Sequence, residues 1–83
     1  MEYKFTKDNF ETEVLKSDKL VLIDFYADWC GPCRTMGPVV DQIAKDYDGK
    51  VKVGKINVDE EQEIAAQFGI RSIPCFVFMK DGE

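Results

Sequence analysis

The run Leu20-Val21-Leu22-Ile23-Asp24-Phe25-Tyr26 is apolar, branched or aromatic at every position except Asp24. A stretch with no polar alternation reads as a strand covered on both faces. Such a strand needs helices above and below it, which points to an α/β architecture. Asp28 to Pro32 breaks the pattern, and from 33 to 47 the spacing becomes helical, with Met36, Val39, Val40, Ile43, Ala44 and Tyr47 on one stripe. Pro38 lies inside that stretch and predicts a kink, not an end. Asp48-Gly49 closes the helix.

The rest of the chain continues the alternation. Tyr3-Lys4-Phe5 reads as a short first strand. Asp8 followed by Glu11 has the form of a capping box, opening a helix that buries Phe10 and Val14 and ends near Ser17. Val51, Val53, Ile56 and Val58 mark a third strand. Ile64, Ala65 and Phe68 mark a short helix stopped by Gly69, and Cys75-Phe76-Val77-Phe78-Met79 a last buried strand. The order is β-α-β-α-β-α-β, a sheet with parallel crossovers and helices on both faces. Asp81-Gly82 is a hairpin signal with no chain left to form a returning strand.

At 83 residues the chain holds at most one domain, spanning 1–83. A domain of this size buries only roughly 60–65% of its unfolded surface, so its stability should be modest. Eleven basic residues against sixteen scattered acidic ones give a net charge of −5 and no basic patch. Nucleic acid is therefore not an expected partner. The start, Met1-Glu2-Tyr3-Lys4-Phe5, lacks the apolar stretch of a leader, and no run is long enough to cross a bilayer. A cytoplasmic location is the expectation, with no membrane partner. Three cysteines, two of them close together, point there to redox chemistry or metal and not to a secreted disulfide scaffold.

The close pair is Cys30-Gly31-Pro32-Cys33, between the central strand and the helix. Spacing of three across a first helical turn puts both sulfurs on one face, near enough to bridge. Unsatisfied N–H groups and the dipole at the helix start favour a thiolate. Gly31 and Pro32 keep the turn compact. Cys30 should sit at the exposed edge and attack a substrate disulfide, and Cys33 should resolve the mixed disulfide. The rival reading is an inert pair or half of a metal site. With no histidine and three cysteines, one chain cannot complete a four-ligand Cys/His zinc site, although two chains sharing their pairs could. The absence of histidine also excludes a Cys–His nucleophilic enzyme.

The segment Asp24-Phe25-Tyr26-Ala27-Asp28-Trp29-Cys30-Gly31-Pro32-Cys33 resembles the active-site segment of the thioredoxin family. Arg71-Ser72-Ile73-Pro74 resembles the loop carrying that family's cis-proline. Phe68-Gly69-Ile70 and Lys55-Ile56-Asn57-Val58-Asp59 fit as well, so the likeness runs over nearly the whole chain. It implies a thioredoxin-like fold truncated before a final antiparallel strand and helix. It also implies a protein-disulfide reductase with no cofactor beyond the redox-active Cys30–Cys33 disulfide and no metal. The implied partners are disulfide-containing proteins and a recycling thioredoxin reductase.

By position, the resemblance makes Cys30 the nucleophile and Cys33 the resolving cysteine. Asp24 becomes the buried acid that moves protons to and from Cys33, and Lys55 its neighbour. Trp29 becomes the aromatic flank that shields the pair, and Pro74, beside Ile73, the cis-proline whose backbone pairs with an extended substrate. Read from the residues alone, a lone acid in an apolar strand should have a raised pKa and suits proton transfer. A solvated strand-end acid, a surface lysine, a packing tryptophan and a trans proline are the plainer alternatives.

Two departures stand out. Cys75 follows Pro74, where family members commonly carry Thr. It is either a small buried residue or an extra thiol able to form another disulfide or bind metal. The missing strand and helix would leave apolar side chains of the central strands facing water or another chain, so self-association through that face is expected, with impaired activity or a purely binding module as the further alternatives.

Overall fold

A computed structural model describes residues 2–83; Met1, part of the start Met1–Phe5 read above, lies outside them. The elements are β1 (Glu2–Lys4), one π-helical turn (Glu11–Leu15), β2 (Leu20–Tyr26), α1 (Gly31–Asp46), β3 (Val51–Asn57), α2 (Gln62–Gln67) and β4 (Cys75–Met79). This is the α/β order read from the pattern. The strands lie β1-β3-β2-β4, with β1, β3 and β2 parallel and β4 antiparallel to β2.

β2 is the centre because it can be buried on both faces. Its side chains alternate across the sheet. Val21, Ile23 and Phe25 join Phe5, Phe10, Val14, Ile56 and Met79 on the face covered by the π-helical turn and α2. Leu22 points the other way and meets Val40 and Ala44 of α1 and Val53 of β3. Each fully buried side chain of this kind contributes about 1.5–3 kcal/mol. By the same alternation Asp24 shares the face of Leu22, so β2 carries its one acid under α1. Gly54 of β3 makes room for Phe5, since a Cβ there would clash with the phenyl ring. Helix α1 runs through Pro38 without ending, and Gly49 beyond it takes φ +86°, a left-handed conformation suited to glycine.

Three expectations are corrected. The Asp8–Glu11 capping box does not form: Phe10 is the N-cap, with no side-chain cap. Asn9 ties the turn instead, its Oδ1 accepting from the Thr6 N–H at 2.8 Å and its Nδ2 donating to the Lys4 carbonyl at 3.0 Å. The helix so starts late and winds once, with the Lys16 N–H donating to Glu11 O. The strand 75–79 is not buried on both faces. Cys75, Val77 and Met79 face the core, whereas Phe76 and Phe78 are 39% and 61% exposed on the α1 side. Val39 and Tyr47 are also about half exposed, because the apolar stripe of α1 is wider than the strip of sheet it covers.

At Asp81-Gly82 both residues take positive φ, 55° and 82°. Lys80 and Glu83 exchange backbone hydrogen bonds of 3.0 and 3.1 Å. This is the two-residue reversal that the Asp-Gly pair predicts. Among the described residues no strand follows it.

Candidate active site

Strand β2 ends at Tyr26, Ala27 is buried, and the chain turns so that Cys30 becomes the N-cap of α1. Cys30 and Cys33 are joined as a disulfide with their Cα atoms 5.2 Å apart. The Cys33 N–H points at Cys30 Sγ from 3.2 Å. A helix N-terminus leaves such N–H groups without intrahelical partners, and here one of them is spent on sulfur. An anionic sulfur at position 30 is therefore favoured by a direct donor and by the helix dipole.

The expectation that Cys30 stands at an exposed edge does not hold. The two cysteines are equally covered, at 5% and 6% exposure. Ile73 packs over the pair, and Cys30 Sγ lies 3.8 Å from the Ile73 carbonyl oxygen. What separates the two sulfurs is their surroundings: Cys30 meets the helix N–H and the 73–74 loop, while Cys33 lines a pocket that opens to solvent. Gly31 and Pro32 are exposed above them. A Cβ at Gly31 would meet nothing, so packing does not demand glycine, and the ground beside Cys30 stays open.

On the loops that carry Trp29 and Ile73 lies a shallow groove of about 150 Å³ between Trp29, Val58, Ile70 and Ile73. Trp29 is 69% exposed, and its Nε1 donates to Asp59 Oδ2 at 2.9 Å. Asn57 Oδ1 steadies that loop by accepting from the Asp59 and Glu60 N–H groups. Most of the tryptophan side chain is therefore open to solvent, tethered to the 57–60 loop through its indole N–H. The Ile73–Pro74 peptide is cis, with both residues half-buried.

Below Cys33 lies a cavity of about 320 Å³. Asp24 lines it, is 5% exposed, and leaves Oδ1 without a hydrogen-bond partner. Burial pushes its carboxyl up to about 6, and the positive charge of Lys55 only partly opposes this. Lys55 sits opposite Asp24 in the β2–β3 register, half-buried, with Nζ 5.3 Å from the centre of the Tyr26 ring. The solvated-acid and surface-lysine readings both give way to this geometry.

Cys75 is a free, half-buried thiol. It packs with the core cluster on the π-helical-turn side of the sheet, whereas Cys30 and Cys33 cluster with Ala27. Sequence reasoning missed Glu2 and Asp41, which line the same cavity as Asp24. One signal was available: Cys33, Gly37 and Asp41 recur every four residues and so share a helix face. Among the described residues, no group of three His, Cys, Asp or Glu side chains is disposed to hold a metal ion. Among the same residues, no helix is long and apolar enough to cross a membrane.

Residues 2–83 match the family model described as thioredoxin. The chain is 54% identical over 81 residues to a thioredoxin of Chlorobaculum thiosulfatiphilum, covering 98% of this chain and 75% of that protein. It is 55% identical over 78 residues to thioredoxin 1 of Nostoc sp., covering 94% and 73%. With a thioredoxin of Pseudomonas aeruginosa the identity is 49% over 77 residues, covering 93% and 71%. The chain thus spans about three quarters of the length of these relatives.

Proposed function

The chain belongs to the thioredoxin family, and from that premise we propose that it reduces disulfides in other proteins by cycling Cys30 and Cys33 between dithiol and disulfide. Thiol–disulfide oxidoreduction is the family's chemistry; the direction and the residue roles are our reading. One observation carries it: the Cys33 N–H is aimed at Cys30 Sγ at the helix start, while Cys33 itself opens on the cavity of Asp24.

The Cys30 thiolate attacks one sulfur of the substrate disulfide. An S–S bond to Cys30 forms as the substrate bond breaks, and the first substrate sulfur leaves as a thiolate. Asp24, ionised above about 6, takes the proton of the Cys33 thiol. The Cys33 thiolate then attacks Cys30 Sγ, closes the Cys30–Cys33 disulfide and releases the second substrate thiolate. Two electrons have passed to the substrate, and both of its thiolates are protonated from water.

Lys55 keeps the ionised state of Asp24 accessible. Trp29, Gly31, Pro32 and Ile73 would form the apolar platform for the substrate, and the backbone beside Pro74 would pair with it as an extended strand. No bound cofactor is needed, only a thioredoxin reductase to return the electrons. We place this activity in the cytoplasm, on residues 1–83 acting as one domain. We also assign self-association to the α1 side of the sheet, where Leu20, Leu22, Ile43, Tyr47, Val51 and Phe78 line an apolar groove of about 410 Å³.

Insulin-disulfide reduction driven by dithiothreitol tests the function. The wild-type chain should accelerate it, and Cys30→Ser should abolish the acceleration. Equal rates with and without the wild-type chain would identify a binding module that has lost the chemistry.

A further inference from the structure

The cavity under Cys33 holds more ionisable groups than the exchange reaction described above uses. β2 contributes Asp24 and Tyr26, and β3 contributes Lys55. From α1 come Cys33, Arg34 and Asp41, from the loop before it Asp28, and from β1 Glu2. Glu2 is half-buried and Asp41 exposed, whereas Asp24 and Cys33 are buried. Exposure thus rises from Cys33 and Asp24 outward to Glu2 and Asp41. Both line the same pocket, where burial and the neighbouring Asp41 raise the Glu2 carboxyl. Asp24 Oδ1, buried and without a hydrogen-bond partner, belongs to the same space. At about 30 Å³ of liquid volume per water molecule, a cavity of about 320 Å³ has room for several.

We propose that Glu2 and Asp41 share one proton at the outer end of this cavity and carry protons between Asp24 and solvent. They act through Asp24 and are positioning residues, not catalytic ones. The inference rests on the role given to Asp24 above. In each cycle the S–H bond of Cys33 breaks and an O–H bond forms on Asp24. Asp24 then passes that proton through cavity water to the fully ionised Glu2–Asp41 pair, which becomes the singly protonated pair and afterwards releases the proton to bulk water. Charge and protons balance at each step, and the electrons stay with the sulfurs.

The energetics run outward. Burial first, then the hydrogen bond to Asp41 and the charges of Asp41 and Asp24, hold the Glu2 carboxyl up at about 7, against the opposing pull of Lys55. Asp24 ionises first, at about 6. Its charge is therefore already present when Glu2 titrates, and the outer pair holds the proton more tightly than Asp24 does. Both acids line the outer end of the same pocket, so removing either one should interrupt the path.

The test is the pH profile of protein-disulfide reduction between pH 5.5 and 8.5, in the full chain, with thermal melting of each variant. The wild-type rate should rise through two ionisations, near 6 and near 7. Glu2→Gln and Asp41→Asn should each remove the upper one and lower the rate at pH 7 on the order of three- to tenfold. Melting should not fall, the double variant should lose no more than either single one, and Asp41→Glu should restore the profile. Should both single variants keep the upper ionisation, the relay is overturned. In that event Asp24→Asn decides the rest: loss of the lower ionisation in that variant leaves the assigned role of Asp24 standing, and its persistence removes that role too. A variant that melts early yet keeps the upper ionisation shows a structural contact only and also overturns the relay.

Discussion

Asp24 and Lys55 stand directly opposite one another on neighbouring parallel strands, yet Asp24 Oδ1 accepts no hydrogen bond and the Lys55 ammonium lies over the Tyr26 ring. The acid is therefore held near a positive charge without being neutralised by a close ion pair. Burial wins over the lysine, and the carboxyl stays above its ordinary range. An acid that is costly to ionise in the folded chain is a poor element of stability and a good proton acceptor near neutral pH.

That conflict predicts a stability change with a definite sign. The Asp24 carboxyl moves from 3.8 to about 6 on folding. Between these values the folded state keeps a proton that the unfolded state has lost, so stability falls as pH rises through this window. Above pH 7 the full cost applies, about 2–3 kcal/mol at 1.36 kcal/mol per pKa unit. Asp24→Asn should therefore raise the melting temperature at pH 7.5 by roughly 10 °C, and the gain should vanish near pH 3.5. Melting curves at both pH values check this, and an unstabilised variant at pH 7.5 would count against a buried, unpaired carboxylate.

Phe78 sits opposite Leu22 in the β2–β4 register and is 61% exposed beside the apolar groove on the α1 side. β4 is also an edge strand, with unpaired backbone groups along its outer side. Sedimentation velocity at rising concentration should show association of the wild-type chain. Phe78→Glu should weaken it by placing charge in the contact. A wild-type chain that stays monomeric at the highest concentration would refute the assignment of this face.

The third thiol has a simpler expected fate. Cys75 packs with Phe25 and Ile23 in the core cluster, on the far side of β2 from the Asp24 cavity. Thiol counting on the oxidised wild-type chain should find one free thiol, Cys75. Cys30→Ser should show two, Cys33 and Cys75, with no new bridge between them. A count of zero in that variant would make Cys75 a redox partner.

These predictions also show where local sequence signals were enough. The unalternating run at 20–26 and the helical spacing from 33 each concern one element, and both elements formed. The same local rules placed the Cys30–Cys33 pair at the helix start, and Cys30 proves to be the N-cap. The misreadings involve contacts between distant segments. Whether Phe76 and Phe78 are covered depends on what lies over the α1 side of β4, not on the strand's own composition. The cover over Cys30 comes from Ile73, forty-three residues away. Glu2 and Asp41 line one pocket only because α1 packs on β3 and reaches β1. At the π-helical turn the competing signal was local but finer: Asn9 outbid Asp8 for the turn.

The unequal roles of Cys30 and Cys33 are the core of the account, since burial does not tell them apart and the N–H contact and the cavity do. Trapping separates them most directly. Reduced Cys33→Ser, mixed with a disulfide-bonded protein and analysed by mass spectrometry after denaturation, should accumulate a mixed disulfide at Cys30, whereas reduced Cys30→Ser should trap little at Cys33. An adduct chiefly at Cys33, or none in either variant, would contradict the mechanism.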